Sequence, residues 1–473
     1  MSLEDDLATL SINVDSRNAQ PLYQQVAAHI RQLILDRRLT SGNQLPSSRK
    51  LALLLNISRT STLSAYEQLM GEGLLIAKPS SGVFVSQLKI TTQNTPVKPS
   101  AIAAVDPPIN SGFFESGPDI EQFPAAQWAQ SLARVWRKPD SNLLRNFPLG
   151  GYMPLRQAVA RYVKALRNLD CAPEQIIITA GSRDSLTLIA EALSLSGKEV
   201  ALENPCYPLL KHGLNTLGAR LNPIDVDAQG MQLPTKPMDL AWMSAARQYP
   251  LGMPMSTQRR LAWLEYSQAH ACWLIEDDYD AEFQYQKTPL APLFQMANQQ
   301  HASDRQKVIF VGSFSKILFR TLRIGYLIAP PALVPKLLEA QATLGNLANI
   351  PTQPALADFI NHRRFSSHLR RMRRCYQQRR DFLHALLSEQ LGDYLEAELP
   401  ESGMHLLAHL KNRPDSKDDK YLEQQLSQQG TYAPALSSHY ANCAQQGLLL
   451  GFSGANEAQL SQGVAQLAKL LRA

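Results

Sequence analysis

Leu22, Val26, Ile30, Leu33 and Ile34 fall at helical spacing on one face, after a proline that suits a helix start. Asp36-Arg37-Arg38 and Ser41-Gly42-Asn43 end that helix. A short apolar run at residues 51–55 comes after Leu45-Pro46-Ser47-Ser48-Arg49-Lys50, where Ser47 or Ser48 can cap it. Asn56-Ile57 turns the chain, and Ser58 caps a second helix, Arg59–Gly71, with Leu63, Tyr66, Leu69 and Met70 expected to face inward. Two short helices joined by a tight turn predict a helix-turn-helix. Apolar stretches at 74–77 and 83–85 flank Lys78-Pro79-Ser80-Ser81-Gly82, a hairpin with a basic tip that would serve as a wing.

Beyond residue 88 the pattern changes twice. Residues 88–108 show neither helical nor strand period and carry four prolines, which predicts a tether. At roughly 3 Å per residue it could reach about 60 Å. From 109 to 473 strands and helices alternate, the pattern of an α/β body. Gln175-Ile176-Ile177-Ile178-Thr179, Val200-Ala201-Leu202, Leu240-Ala241-Trp242-Met243, Trp273-Leu274-Ile275 and Val308-Ile309-Phe310-Val311 read as buried strands. A helix is predicted over 185–195. The expected organisation is an arm at 1–18, a DNA-binding domain at 19–87, a linker at 88–108 and a body at 109–473.

Composition narrows the function classes. At 44% hydrophobic, 473 residues can bury a large core. No apolar run approaches a membrane span, and the acidic start Met1-Ser2-Leu3-Glu4-Asp5-Asp6 does not resemble a signal peptide. Five scattered cysteines, none in a Cys-x-x-Cys pair, argue against a disulfide framework or a metal site and fit a cytoplasmic protein. The net charge of +6 matters for its distribution: residues 19–89 hold eight lysines or arginines against three acids. That surplus lies where DNA phosphates would meet a winged helix. The second helix opens Arg59-Thr60-Ser61-Thr62, the end of a recognition helix that meets bases and phosphates.

The candidate chemistry lies in the body. The strand 308–311 runs into Gly312-Ser313-Phe314-Ser315-Lys316, with Arg323 seven residues on. A lysine at such a strand end sits where open α/β sheets bind ligands and can form a Schiff base. Serines and an arginine suit a phosphate. The strand 273–275 runs into Glu276-Asp277-Asp278-Tyr279. Pyridoxal phosphate asks for a lysine, a carboxylate for its ring nitrogen and a phosphate cup, and Asp277 and Tyr279 supply the carboxylate and a hydroxyl. Gly181-Ser182-Arg183, opening a helix, offers free N–H groups as the other half of the cup. Tyr207, after another strand, can stack on a ring or simply pack.

Pro21-Leu22-Tyr23, Leu45-Pro46-Ser47-Ser48-Arg49, Ser58-Arg59-Thr60 and Gly82-Val83-Phe84-Val85 resemble the winged helix of the GntR superfamily. Ile275-Glu276-Asp277-Asp278-Tyr279-Asp280, Gly312-Ser313-Phe314-Ser315-Lys316 and Leu322-Arg323-Ile324-Gly325-Tyr326 resemble fold type I aminotransferases in the MocR/GabR-type branch of that superfamily. The resemblance implies a multi-domain chain: a winged helix-turn-helix (α+β) and an α/β pyridoxal phosphate-dependent transferase fold with large and small subdomains. It implies Lys316 as the catalytic, Schiff-base lysine. It places Asp277, Tyr279, Arg323, Ser313, Gly181 and Ser182 around pyridoxal 5'-phosphate, and the residue pattern adds Ser315, Arg183 and Tyr207 as candidates beside them. It places Ser48, Arg49, Arg59 and Thr60 against double-stranded DNA with Gly82 marking the wing, and the local residue pattern adds Lys50, Ser61 and Thr62 as candidate DNA contacts.

The implied protein is a homodimeric transcriptional regulator that senses the cofactor, a small amine or an amino acid. The alternative is an active aminotransferase with an appended winged helix. Gly454 stands where the family's carboxylate-binding arginine is expected, which leaves Arg247, Arg320 or Arg183 to take that role and leaves turnover, or a half-transamination, open. The eight arginines between 363 and 380 read as a solvated or intersubunit helix face, with DNA contact as the alternative.

Overall fold

The computed structural model describes residues 12, 14–16, 18, 20–87, 113, 117–145, 148–285, 290–300, 306–345, 348–411, 418–442 and 445–472. The tether at 88–108 and most of the arm at 1–18 lie outside the described residues. The chain forms two units, Met1–Ala103 and Ala104–Ala473.

In the first unit α1 (Leu22–Leu35) buries Val26, Ile30, Leu33 and Ile34. Helix α2 (Ser48–Leu55) is capped by Ser47, whose hydroxyl accepts from the Lys50 N–H, and it ends at Asn56 in the left-handed region. Helix α3 (Arg59–Gly71) is capped by Ser58, which accepts from the Ser61 N–H. Strands β1 (Leu75–Lys78) and β2 (Gly82–Val85) pair antiparallel as the wing.

Three expectations, for Leu63, Met70 and Thr62, are corrected here. Leu63 is exposed, because the buried stripe of α3 runs through Thr62, Ala65, Tyr66 and Leu69, and Leu63 lies one residue off it. Met70 is only half-buried for the same reason. Thr62 itself is fully buried, with its hydroxyl donating to the backbone carbonyls of Ser48 at 2.8 Å and Arg59 at 2.9 Å. It ties α2 to α3 rather than reaching toward DNA. We expect Thr62→Val, which keeps the shape and removes the donor, to cost about 1–2 kcal/mol of stability in this unit. Thermal unfolding of the full chain, followed by a probe in the first unit, checks it.

The second unit is built on an eight-stranded sheet with order β3-β10-β9-β8-β7-β4-β5-β6. The strands are β3 (Ile176–Thr179), β4 (Glu199–Asn204), β5 (Arg220–Asp227), β6 (Gly230–Met231), β7 (Leu240–Met243), β8 (Trp273–Asp278), β9 (Val308–Ser313) and β10 (Gly325–Ile328). The central pairs β5–β4, β4–β7, β7–β8 and β8–β9 are parallel, and β10 runs antiparallel between β9 and β3. Nearly every residue of β3, β7, β9 and β10 is buried, as a sheet covered on both faces requires. A smaller antiparallel sheet, β11 (Leu395–Ala397), β12 (His405–Leu410) and β13 (Gly447–Gly451), forms with the C-terminal helices the second subdomain. A 28-residue helix, Arg364–Leu391, precedes it. Among the described residues no helix is long and apolar enough to cross a membrane.

Candidate cofactor cleft and DNA-facing helix

The parallel strands β4, β7, β8 and β9 all end at one edge, where backbone polarity and loop freedom favour a ligand. There a cleft of about 250 Å³ is lined by Gly181, Ser182, Tyr207, Asp277, Tyr279, Ser313, Ser315, Lys316 and Arg323, among others. The sheet brings these residues together from four separate stretches of chain. Arg183, by contrast, is exposed and absent from the lining: it sits one residue further into the helix than Ser182 and turns away.

The cleft's chemistry is set by burial. Burial pushes the Asp277 carboxyl up to about 6, against the opposing pull of the Trp242 indole N–H, which donates to it at 3.3 Å, and of Lys316. Trp242 can do this because β7 lies directly beside β8. The Lys316 ammonium stands 4.5 Å from the Tyr279 ring centre and 5.9 Å from that of Tyr249. Burial also lifts the Tyr279 hydroxyl well above its ordinary value, and that hydroxyl accepts from Arg247 at 3.0 Å. Tyr207 meets Tyr249 edge to face at 5.5 Å between ring centres, and Tyr249 meets Tyr279 the same way at 5.7 Å.

The anion end is assembled separately. Gly181, with φ at +99°, turns the chain into the helix Ser182–Ala192, whose first N–H groups have no helical partner. A side chain at Gly181 would meet the Arg323 guanidinium at 3.5 Å, so the helix start and Arg323 share one small space. Ser315 Oγ is buried with no hydrogen-bond partner among the described residues, a position that asks for an acceptor. Free N–H groups, a guanidinium and an unused hydroxyl together fit a phosphate.

Arg247 is committed elsewhere. It is buried and donates to Asp280 at 3.1 Å, to the His405 carbonyl at 3.1 Å and to Tyr279. A side chain at Gly403 would collide with its guanidinium carbon, so only glycine lets Arg247 pack there. Of the three arginines that could meet a ligand carboxylate, Arg320 alone lines the cleft. A larger cavity of about 540 Å³, lined in part by Arg247, Pro250, Glu401 and His405, contains none of the Lys316 set.

Several residues of this site escape the sequence reading. Trp242 and Tyr249 lie in or beside a strand that the apolar pattern predicts, but the pattern assigns them no role. Glu203 holds the ends of β4 and the chain after β7 together by accepting from the Ser244 N–H and hydroxyl, and burial raises its carboxyl to about 7. Their common signal is position: each comes after or ends a parallel strand on the ligand edge.

In the first unit Arg49, Lys50, Arg59 and Thr60 are exposed, while Ser48 and Ser61 are half-buried. Ser61 Oγ lies 2.8 Å from Ser58 Oγ, at the start of α3. Gly82, with φ at +106°, closes the wing turn. The cations that open α2 and α3 are thus presented to solvent.

Comparison with known proteins agrees with both halves. Residues 22–85 match the family of bacterial regulatory proteins, gntR family, and residues 118–467 match aminotransferase class I and II. The probable rhizopine catabolism regulatory protein MocR of Rhizobium meliloti is 31% identical over 467 residues, covering 94% of this chain and 93% of that protein. The chain belongs to the MocR/GabR-type branch of the GntR family. It is a DNA-binding transcriptional regulator with an aminotransferase-like body. The HTH-type pyridoxine biosynthesis transcriptional regulator PdxR of Corynebacterium glutamicum is 29% identical and covers 98% of both chains. LysN, the alpha-aminoadipate aminotransferase of Thermus thermophilus, superposes with a TM-score of 0.68 over 76% of this chain and 91% of that one. At 23% identity that likeness concerns the fold, a pyridoxal phosphate aminotransferase fold, within this MocR/GabR-type regulator.

Proposed function

We propose that this regulator holds pyridoxal 5'-phosphate in the Lys316 cleft and that the state of this site sets how a homodimer grips operator DNA. The observation that supports it most is the meeting, in one cleft, of a lysine, a half-buried carboxylate and an anion cradle with a Ser315 hydroxyl that has no partner among the described residues. When bound, the cofactor supplies an electrophilic aldehyde and a ring nitrogen that attracts a proton. The protein's part is to hold and orient it. Lys316 offers the amine. Asp277, which accepts from the Trp242 indole, would meet the ring nitrogen. Tyr279, oriented by Arg247, offers its hydroxyl near the ring. Ser313, Ser315, Arg323 and the N–H groups after Gly181 take the phosphate. Tyr207, in the cleft lining, would pack against the cofactor.

The effector is the cofactor itself or a small amine or amino acid. With Arg247 bonded to Asp280, a ligand carboxylate would have to be met by Arg320 at the cleft wall. For a ligand to act on DNA, it must bind two arrangements of the dimer unequally. A titration of the purified protein with pyridoxal phosphate should raise a visible absorbance band, and amines or amino acids that act as effectors should then move it. No band at saturating cofactor would overturn the cofactor reading.

The pH dependence follows from Asp277. Its folded-state carboxyl titrates near 6, above its unfolded value, so folding favours the protonated form and this group's contribution to stability falls as pH rises toward and through about 6. The ionised form, needed opposite a protonated ring nitrogen, becomes populated over the same interval. We expect cofactor affinity to gain a component rising with pH around 6, and Asp277→Asn to remove that component. Titrations of the wild type and the variant at several pH values check it.

A further inference from the structure

We propose that the first half of the helix Arg364–Leu391 is a second DNA-contacting surface, which grips duplex phosphates outside the sequence read by the winged helix. This does not depend on the cofactor reading, only on the protein's being a DNA-binding regulator.

The helix spends its arginines in two different ways. Arg379 and Arg380 are buried and neutralised within the chain: Arg379 pairs with Asp119 at 2.7 Å and Arg380 with Asp381 at 2.6 Å. The six toward the helix start are not. Arg363, Arg370, Arg371 and Arg374 are exposed, and Arg364 and Arg373 are half-buried. Among the described residues none of the six has an ion-pair partner.

Three of them are nevertheless held in place by neutral carbonyls. Arg364 donates to Gln127 at 2.9 Å, Arg371 to Gln122 at 2.6 Å and Arg373 to Glu282 at 2.5 Å. A carbonyl fixes a guanidinium without cancelling its charge. The result is a set of partly immobilised cations, which lose less side-chain freedom on meeting an anion than mobile ones.

The surface has the shape of a long anionic ligand. Two shallow depressions, of about 600 and 360 Å³, lie along the helix and share Ser367 and Arg374. Together they are lined by all six arginines and by no carboxylate. From Arg363 to Arg374 the helix rises about 16 Å, over which a duplex carries about ten phosphates. A small-molecule anion would use one depression. A polyanion uses both. A solvated face that merely keeps the protein dispersed would carry interspersed acids, and the sequence from 363 to 380 has none.

The test uses the intact chain, DNA from upstream of its own gene, and two duplexes: one just covering the site the protein protects in a footprint of that DNA and one extended on both sides. Affinities are measured by fluorescence anisotropy across a salt series for the wild type and for Arg370→Gln/Arg374→Gln. The wild type should bind the longer duplex more tightly and with a steeper salt dependence. The variant should lose roughly tenfold or more on the longer duplex at 0.1 M salt, with the slope reduced by about two, and change little on the short one. Equal effects on both duplexes, or none, would overturn the proposal. So would a fall in sedimentation coefficient in the variant, which would make this face a contact between copies of the chain. A wild type equally tight on both duplexes would overturn it as well.

Discussion

Lys316→Ala should abolish the visible absorbance band and leave the protein unable to retain pyridoxal phosphate through gel filtration. Asp277, the anion cradle and the tyrosines remain in the cleft, so on the proposed reading loss of the covalent link should weaken affinity rather than erase it. A loss of about 3–4 kcal/mol corresponds to a few hundred-fold in Kd. The substitution removes an ammonium packed against Tyr279 and Tyr249 whose charge favours the ionised form of the half-buried Asp277. Burial already disfavours the ionised carboxylate, so without Lys316 its proton should be held more tightly still. The fold should persist, because Lys316 lies at the cleft wall and not in the sheet core. Equilibrium dialysis gives the affinity, and a melting curve taken alongside separates lost binding from lost structure.

The second large effect is expected in the first unit. Arg59→Ala should weaken binding to DNA from upstream of the protein's own gene by about 1–3 kcal/mol, on the order of 10- to 100-fold, if Arg59 meets a base edge. Arg59 is exposed at the first turn of α3, where the helix N-terminus already favours an anion. Arg49→Ala should act differently. A phosphate contact from α2 loses affinity about equally on specific and random DNA and lowers the salt slope by about one. Comparing both variants on both DNAs distinguishes base reading from phosphate anchoring. Neither should alter the cofactor band.

Much of the site is legible in the sequence because strong local patterns coincide with chemistry. The apolar run Val308-Ile309-Phe310-Val311 points to a strand covered on both faces, which its full burial bears out, and the residues just after it fall at the ligand edge of a parallel sheet. Lys316 and Asp277 can therefore be placed near each other without knowing the strand order. The strand order itself is not legible. That Trp242 donates to Asp277 depends on β7 lying beside β8, a long-range pairing with no local signal.

Other departures are also physical. The helix expected over 185–195 starts at Ser182, because its first turn is polar and set by Gly181 rather than by apolar periodicity. Thr62 reads as a DNA contact by its neighbours, but its hydroxyl is used between helices, and only the tertiary fold shows that. The same holds for the arginine run. Its density is obvious in sequence, yet the division into buried, paired arginines and exposed or half-buried ones with no ion-pair partner among the described residues emerges only once Asp119 has been brought to Arg379.

The central claim is that the cofactor cleft controls the grip on DNA. Its most direct test is operator affinity, measured with and without saturating pyridoxal phosphate, for the wild type and Lys316→Ala side by side. A cofactor-dependent shift in the wild type that is absent in Lys316→Ala is the predicted result. A shift of the same size in both, or none in either with the wild-type band present and no response to amines or amino acids, would contradict it.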